Sequence, residues 1–231
     1  MNLGTFISGN WYLILISVVV AYLLGSINTA VMVTSIVTKG KKDIREMGSG
    51  NAGFTNVLRS VGKGPAIVTI ICDLLKSVIA VAIGGLLFSF MNTGDFSSDA
   101  VISIGKYLSG FACIIGHSYP IYFHFRGGKG IVTAAGMMIV LDWRVFLMIF
   151  ATFAIIFFSS KIISLASIIS SAMFGVYTFI LAYVVDNGSA LYTTVCTLTA
   201  FGIGIFIIIK HKDNIKRLLK GEEKKITAKK N

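Results

Sequence analysis

"GPAIVTIICDLLKSVIAVAIGGLLFSF", Gly64 to Phe90, runs for 27 residues with only two charges, Asp73 and Lys76. About 20 consecutive apolar residues are enough to cross a bilayer as a helix, so the stretch reads as a membrane span. The two charges are three apart and share one helix face. Each costs roughly 2.5–3.5 kcal/mol at a helix centre on insertion scales, which favours their pairing. The pair reads either as a structural clip or as a wall of a polar cavity.

The rest of the chain agrees with that stretch. Of 231 residues, 55% are hydrophobic and 13% charged, where a soluble domain carries about a quarter charged. The expected class is an all-α integral membrane protein. Seven apolar segments stand out, at about 10–34, 64–90, 100–123, 130–141, 145–160, 162–185 and 189–209. The fourth and fifth are short for a full crossing. No repeat or low-complexity tract divides the chain, so a single membrane-embedded domain over 1–231 is expected. Within it, 216–231 reads as a short basic helix and frayed tail.

A net charge of +11 would suggest nucleic acid as the partner of a soluble protein. Here the cations sit in short runs beside apolar segments, which is the pattern of membrane topology. Of the 21 Lys and Arg, only Lys76, Lys106 and Arg144 fall outside the loop 35–63, the 124–129 hinge, the 160–161 turn and the tail from Lys210. Lys76 and Lys106 lie within spans, so Arg144 alone marks the opposite side. The expected topology has the N-terminus outside and the C-terminus in the cytoplasm. No cation precedes Lys39, so the first segment lacks a cleaved signal's charged start and is expected to stay as a span. Cys72, Cys113 and Cys196 all lie in apolar segments and read as small buried hydrophobes.

Three stretches on the expected cytoplasmic side carry more than turns require. "GSGNAGFTNVLR", Gly48 to Arg59, is rich in glycine and asparagine. Such a loop can expose backbone N–H groups to an anion, and Arg59 adds a forked cation. "GHSYPIYFHFRGGKG", Gly116 to Gly130, places Lys129 on a glycine hinge where backbone can approach a ligand closely. It lacks the Walker spacing. His117 and His124 in this stretch read equally as interfacial hydrogen-bonded side chains or as catalytic ones. "KHKDNIKRLLKGEE", Lys210 to Glu223, has the cations of a stop-transfer flank, which do not account for His211 or Asn214. Scattered histidines and unclustered carboxylates give no metal first shell, and no G-x-S-x-G elbow occurs.

With "GSINTA" (25–30), "DLLK" (73–76) and "ISLAS" (163–167), these motifs resemble the bacterial membrane acyltransferases of the PlsY type, which acylate glycerol 3-phosphate from acyl phosphate. The resemblance covers nearly the whole chain. It implies that Ser49, Gly50, Asn51, Asn56, Arg59, Gly127, Gly128, Lys129 and Ser167 bind phosphate or substrate, and that His211 and Asn214 are catalytic. His117, Arg126, Ser164, Asp73 and Lys76 are further candidates. It implies no cofactor and no metal, and a multi-pass place in the bacterial plasma membrane with the site facing the cytoplasm. It also implies a functional link to the enzyme that supplies acyl phosphate. The chain departs from the family's pattern at Asn28 and Ala52 (often proline), Phe54 (alanine), Arg126 (lysine) and Ala166 (serine). The His-x4-Asp motif of the other large glycerolipid acyltransferase class is absent: Tyr122, Lys129 and Lys216 stand five residues after the three histidines.

An acyl phosphate is an activated mixed anhydride. It needs positioning and donors for the developing oxyanion rather than a covalent nucleophile. A small-anion or phospholipid transporter is the alternative, but transporters usually place their site at the bilayer midplane between internal repeats. The topology has a direct check. In a cysteine-free background, a cysteine at Thr93 should react with an impermeant thiol reagent in intact cells and one at Lys224 should not; the opposite pattern would invert the assignment.

Overall fold

The computed structural model describes residues 3–94 and 96–226, which contain helices, turns and no strand. The last five residues of the expected tail, 227–231, lie outside the described residues. The chain divides into two compact units, Met1–Leu141 and Asp142–Asn231.

In the first unit, α1 (Leu3–Ser26) and α2 (Thr29–Val37) form one apolar stretch broken at Ile27 and Asn28. Asn28 makes the break orderly. Its side-chain oxygen accepts from Val31 N–H at 3.2 Å and caps α2, taking the donor that an unbroken helix would have given to the Ile27 carbonyl. After a 3-10 turn at Ile44–Glu46 and the short α3 (Phe54–Ser60) come α4 (Lys63–Ser89) and α5 (Ser98–Ser118). Ser97 caps α5 by accepting from Ala100 N–H at 3.1 Å. A second 3-10 turn, Ile121–Phe123, leads to α6 (Ile131–Leu141).

Helix α4 shows why the unit belongs in lipid. Ile67, Ile71, Leu75, Ile79 and Leu86 are exposed, while Thr69, Asp73, Lys76, Ser77, Ala80 and Gly84 are buried. Polar inside and apolar outside reverses the amphipathicity of a soluble helix, and it suits a surface solvated by acyl chains. Because lipid offers no hydrophobic drive between helices, close packing of small residues holds them together. Helices α1 and α5 meet at Gly25 and Gly116. A Cβ at Gly25 would run into the backbone of Cys113, and one at Gly116 into the Tyr22 carbonyl. Ser17 and Ser109 hydrogen-bond across the same pair of helices at 2.6 Å.

The second unit contains α7 (Trp143–Ser160), α8 (Ile163–Phe179) with a π-helical extension Ile180–Val185, α9 (Ala190–Lys210) and α10 (Lys212–Leu219). Helix α8 packs against both α7 and α9. Arg144, the cation set apart in the charge pattern, joins Asp142 at 2.7 Å and Asp186 at 2.6 Å and so ties the start of α7 to the end of the π turn. Its hydrogen bonds hold the Asp186 carboxyl below the usual carboxylate range.

Among the described residues, six helical stretches are long and apolar enough to span a membrane. The expected fourth segment falls short. Ile131–Leu141 is 11 residues, about 16 Å of helix against a core of about 30 Å. The fifth is longer than expected, starting at Trp143. The first extends further at both ends but is broken after Ser26, and the third ends as α-helix at Ser118. The tail also differs from expectation. Its helix begins at Lys212, and the chain beyond it is tied down as far as Ile226, whose N–H donates to the Lys161 carbonyl at 2.8 Å.

The α1–α5 contact yields a stability prediction. Gly116→Val should overpack against backbone that cannot move aside, costing about 1–3 kcal/mol. At about 2–4 °C per kcal/mol for a chain of this size, the detergent-solubilised protein should lose several degrees in Tm. Gly64→Ala, where no atom lies within 4 Å of the added Cβ, should be close to neutral by the same thermal scan.

Candidate functional site

The loop from Gly48 to Arg59 folds around Asn56, which is buried. Its side-chain amide donates to the carbonyls of Ile44, Met47 and Asn51 at 3.0, 2.9 and 3.1 Å. Its Oδ1 accepts from Ser49 N–H at 3.0 Å and Ser60 Oγ–H at 3.3 Å. Asn56 therefore shapes the loop, and its polar atoms are committed within it. The expectation of a nest of exposed N–H groups changes for the same reason. Ser49 N–H goes to Asn56, Gly50 N–H to the Met47 carbonyl at 2.9 Å and Gly53 N–H to the Asn51 carbonyl at 3.0 Å. Gly48 (φ 56°) and Gly50 (φ 71°) supply the left-handed turns that this wiring needs. On the loop's surface are Ser49, Gly50 and Arg59, all exposed, with Asn51 half-buried. Arg59 lies in the last turn of α3 and has no ion-pair partner among the described residues.

The glycine hinge is equally specified. His124 and Phe125 both adopt left-handed backbone, φ 55° and 58°, and Phe125 N–H returns to the Pro120 carbonyl at 2.9 Å. Gly127 and Gly128 then lie directly on the last turn of α5. Gly128 N–H donates to the His117 carbonyl at 3.0 Å, and a Cβ on Gly128 would strike the His117 ring and stand 2.7 Å from the Ala52 carbonyl. The first two motifs therefore touch, at Ala52 and Gly128. Lys129 follows immediately and is half-buried; two residues later α6 begins. Arg126 is exposed.

Arg45, read from sequence only as a topology cation, also joins the two loops. Its guanidinium grips Asp43 at 2.6 Å and donates from Nη1 to the Phe123 carbonyl at 2.7 Å. The Arg45 hydrogen bonds hold the Asp43 carboxyl below its ordinary value, and Asp43 raises Arg45 in turn. Beneath the hinge, Asp73 and Lys76 pair at 2.7 Å, and Lys76 also reaches His117.

In the second unit, His211 sits at the corner between α9 and α10 and is buried. Its Nδ1 lies 2.8 Å from the Ile207 carbonyl. A carbonyl only accepts, so Nδ1 carries a proton. Asn214, one turn on and also buried, donates to Glu223 Oε1 at 2.7 Å. The same carboxylate accepts from Ser164 Oγ at 2.8 Å and Arg217 Nε at 2.6 Å. Glu223 thus brings Ser164, Asn214 and Arg217 together, and Ser167 lies buried one turn beyond Ser164 on α8. The sequence offered little to single out Glu223, since a glutamate in a run of lysines reads as solvated. Its signal is its place just past the C-terminus of α10, where the chain folds back.

Burial raises the proton affinity of Glu223, but the hydrogen bonds from Arg217, Ser164 and Asn214 outweigh it and hold the carboxyl below the usual range. A depressed folded-state pKa contributes stability above the ordinary glutamate pKa, and that contribution disappears as pH falls through the lowered value. Glu223→Gln should therefore lower Tm at neutral pH, with the gap to the parent protein narrowing on acidification. Glu223→Ala, which orphans several donors, should cost about 1–3 kcal/mol. Lys224→Ala should cost little, and thermal scans across pH measure all three.

Residues 15–221 match the family model described as glycerol-3-phosphate acyltransferase. Curated proteins of that name are similar over nearly their whole length. The one from Trichormus variabilis is 37% identical over 92% of this chain and 91% of the relative. The one from Syntrophotalea carbinolica is 38% identical over 95% and 99%, and the one from Enterococcus faecalis 32% over 93% and 92%. Two crystal structures of PlsY (YgiH), an integral membrane glycerol 3-phosphate acyltransferase, share the fold at 34% identity. The glycerol 3-phosphate form gives a TM-score of 0.73 over 93% of this chain and 96% of that one. The lysophosphatidic acid form gives 0.71 over 93% and 95%. By sequence over most of its length, and by fold, the chain belongs to the glycerol-3-phosphate acyltransferase family.

Proposed function

We propose that the protein transfers a fatty acyl group from acyl phosphate to the 1-hydroxyl of glycerol 3-phosphate, giving lysophosphatidic acid and inorganic phosphate for phospholipid synthesis. The glycerol hydroxyl oxygen attacks the acyl carbon, the bond from that carbon to the phosphate oxygen breaks, and phosphate leaves with the bond's electrons. The donor is already activated, so the protein's task is to hold two anions in place and to stabilise the developing oxyanion.

One observation supports this reading above the others: the two glycine loops are locked together at Ala52 and Gly128, and each carries a cation suited to phosphate, Arg59 on one and Lys129 on the other. Arg59 supplies a planar fork and Lys129 a compact charge. Ser49 offers an exposed hydroxyl on the first loop, and Arg126 adds charge to the hinge. The family resemblance makes His211 of the second unit the candidate to take the hydroxyl proton, with the departing phosphate as the other acceptor. The first two motifs face the cytoplasm of a bacterial cell membrane under the N-outside topology, where acyl phosphate made by a partner enzyme can approach while its chain stays in lipid.

Purified protein given acyl phosphate and glycerol 3-phosphate should release lysophosphatidate without a membrane gradient, whereas acyl-CoA should be a poor donor. Arg59→Ala and Lys129→Ala should each lose a charge-assisted contact worth roughly 1.5–3 kcal/mol, at least about tenfold to a hundredfold in kcat/KM. Lys129→Arg should not restore activity, because a fork does not replace a point charge on a tight hinge. Near-normal turnover by the two alanine variants would reduce the glycine loops to turns. His211→Ala separates the proton acceptors: a loss of about a hundredfold or more assigns the role to His211, and a modest loss assigns it to phosphate.

A further inference from the structure

Three ionisable side chains inside the first unit take no part in the chemistry above. Asp73 and Lys76 lie one turn apart on α4 and His117 lies in the last turn of α5, with relative exposures of 1%, 7% and 4%. The Lys76 ammonium has three protons and no lone pair. Three acceptors surround it: Asp73 Oδ1 at 2.7 Å, the Ile27 carbonyl at 2.9 Å and His117 Nδ1 at 2.9 Å. An ammonium can only donate, so His117 Nδ1 is a lone-pair nitrogen and the ring is neutral. A protonated Nδ1 would have to turn to Asp73, but Oδ1 is 3.7 Å away, beyond hydrogen-bond range. The ring proton therefore sits on Nε2.

The break between α1 and α2 serves the same cluster. Asn28 takes the Val31 N–H, which leaves the Ile27 carbonyl as the third acceptor for Lys76. On its other side the imidazole lies against the hinge. Gly128 has no room for a Cβ because His117 Nε2 and the Ala52 carbonyl occupy that space, and its N–H is held by the His117 carbonyl. The next residue is Lys129.

We propose that Asp73, Lys76 and His117 form a positioning unit: the ammonium locks His117 as the neutral Nε2–H tautomer, and the fixed ring, wedged beneath Gly128 and beside Ala52, sets where Lys129 stands. The proposal rests on the acyl-transfer reading only for what Lys129 holds. The tautomer and the wedge are properties of the resting protein.

The full-length protein, labelled with 15N-histidine in detergent at neutral pH, tests it. The chain has three histidines, assigned one at a time with His117→Gln and His124→Gln. His117 should show a lone-pair Nδ1 and a protonated Nε2, while His211 should be protonated at Nδ1. A His117 ring protonated at Nδ1, alone or together with Nε2, overturns the proposal. Turnover supplies a second readout. Glutamine can place an amide donor near the Nε2 position and asparagine cannot. His117→Gln should stay within about tenfold of the parent in kcat with a raised KM for glycerol 3-phosphate, and His117→Asn should lose about a hundredfold, the scale of a small misplacement. Equal losses in both, with both folded, count against a positioning role; if neither variant elutes as folded protein, the parent spectrum decides. Full activity in Arg59→Ala and Lys129→Ala would instead remove the phosphate clamp and leave the tautomer result standing.

Discussion

A single buried ammonium organises the first unit. Lys76 sits in the middle of a lipid-facing helix, where an unpaired charge is costly, and its three protons are matched by a carboxylate, a backbone carbonyl and an imidazole from three different segments. Each acceptor imposes a condition on the chain. The carbonyl requires a helix broken at Asn28. The carboxylate must come one turn earlier on α4. The imidazole must come at the end of α5, directly under the hinge. Satisfying one charge thus draws the broken first helix, α4 and α5 to the level where the glycine loops begin.

The loops are held by hydrogen bonds to backbone as well as by an apolar cluster that includes Ile44, Ala52 and Val57. Asn56 satisfies the carbonyls of one loop, Arg45 joins that loop to the other, and the Ala52–Gly128 contact closes the seam. The cations of both loops therefore stand on frames that are already hydrogen-bonded. The second unit uses a carboxylate in the same manner: Glu223 orders Asn214, Ser164 and Arg217 around itself.

Much of this was legible in the sequence, for physical reasons. Apolar runs near 20 residues gave the spans, since lipid accepts little else. The spacing of Asp73 and Lys76 gave their pairing, and glycine beside cations marked both loops. What stayed hidden depended on partners remote in the chain. Asn56 looked like a ligand group because residue type reveals donors but not where they point. Arg45 and Glu223 looked like solvated charge, since their partners include a carbonyl 78 residues away and a hydroxyl 59 residues away. The shortness of α6 could be read from its apolar run, whereas the break at Asn28 was not visible because the apolar run continues on both sides of it.

The claim that one charge cluster organises the fold is tested most directly by a double-mutant cycle on the thermal and chemical stability of the detergent-solubilised protein. Asp73→Asn and Lys76→Met should each cost about 3–5 kcal/mol, because each leaves the other charge buried and uncompensated. The double variant should cost clearly less than their sum. Additive losses, or single variants as stable as the parent, would contradict the account.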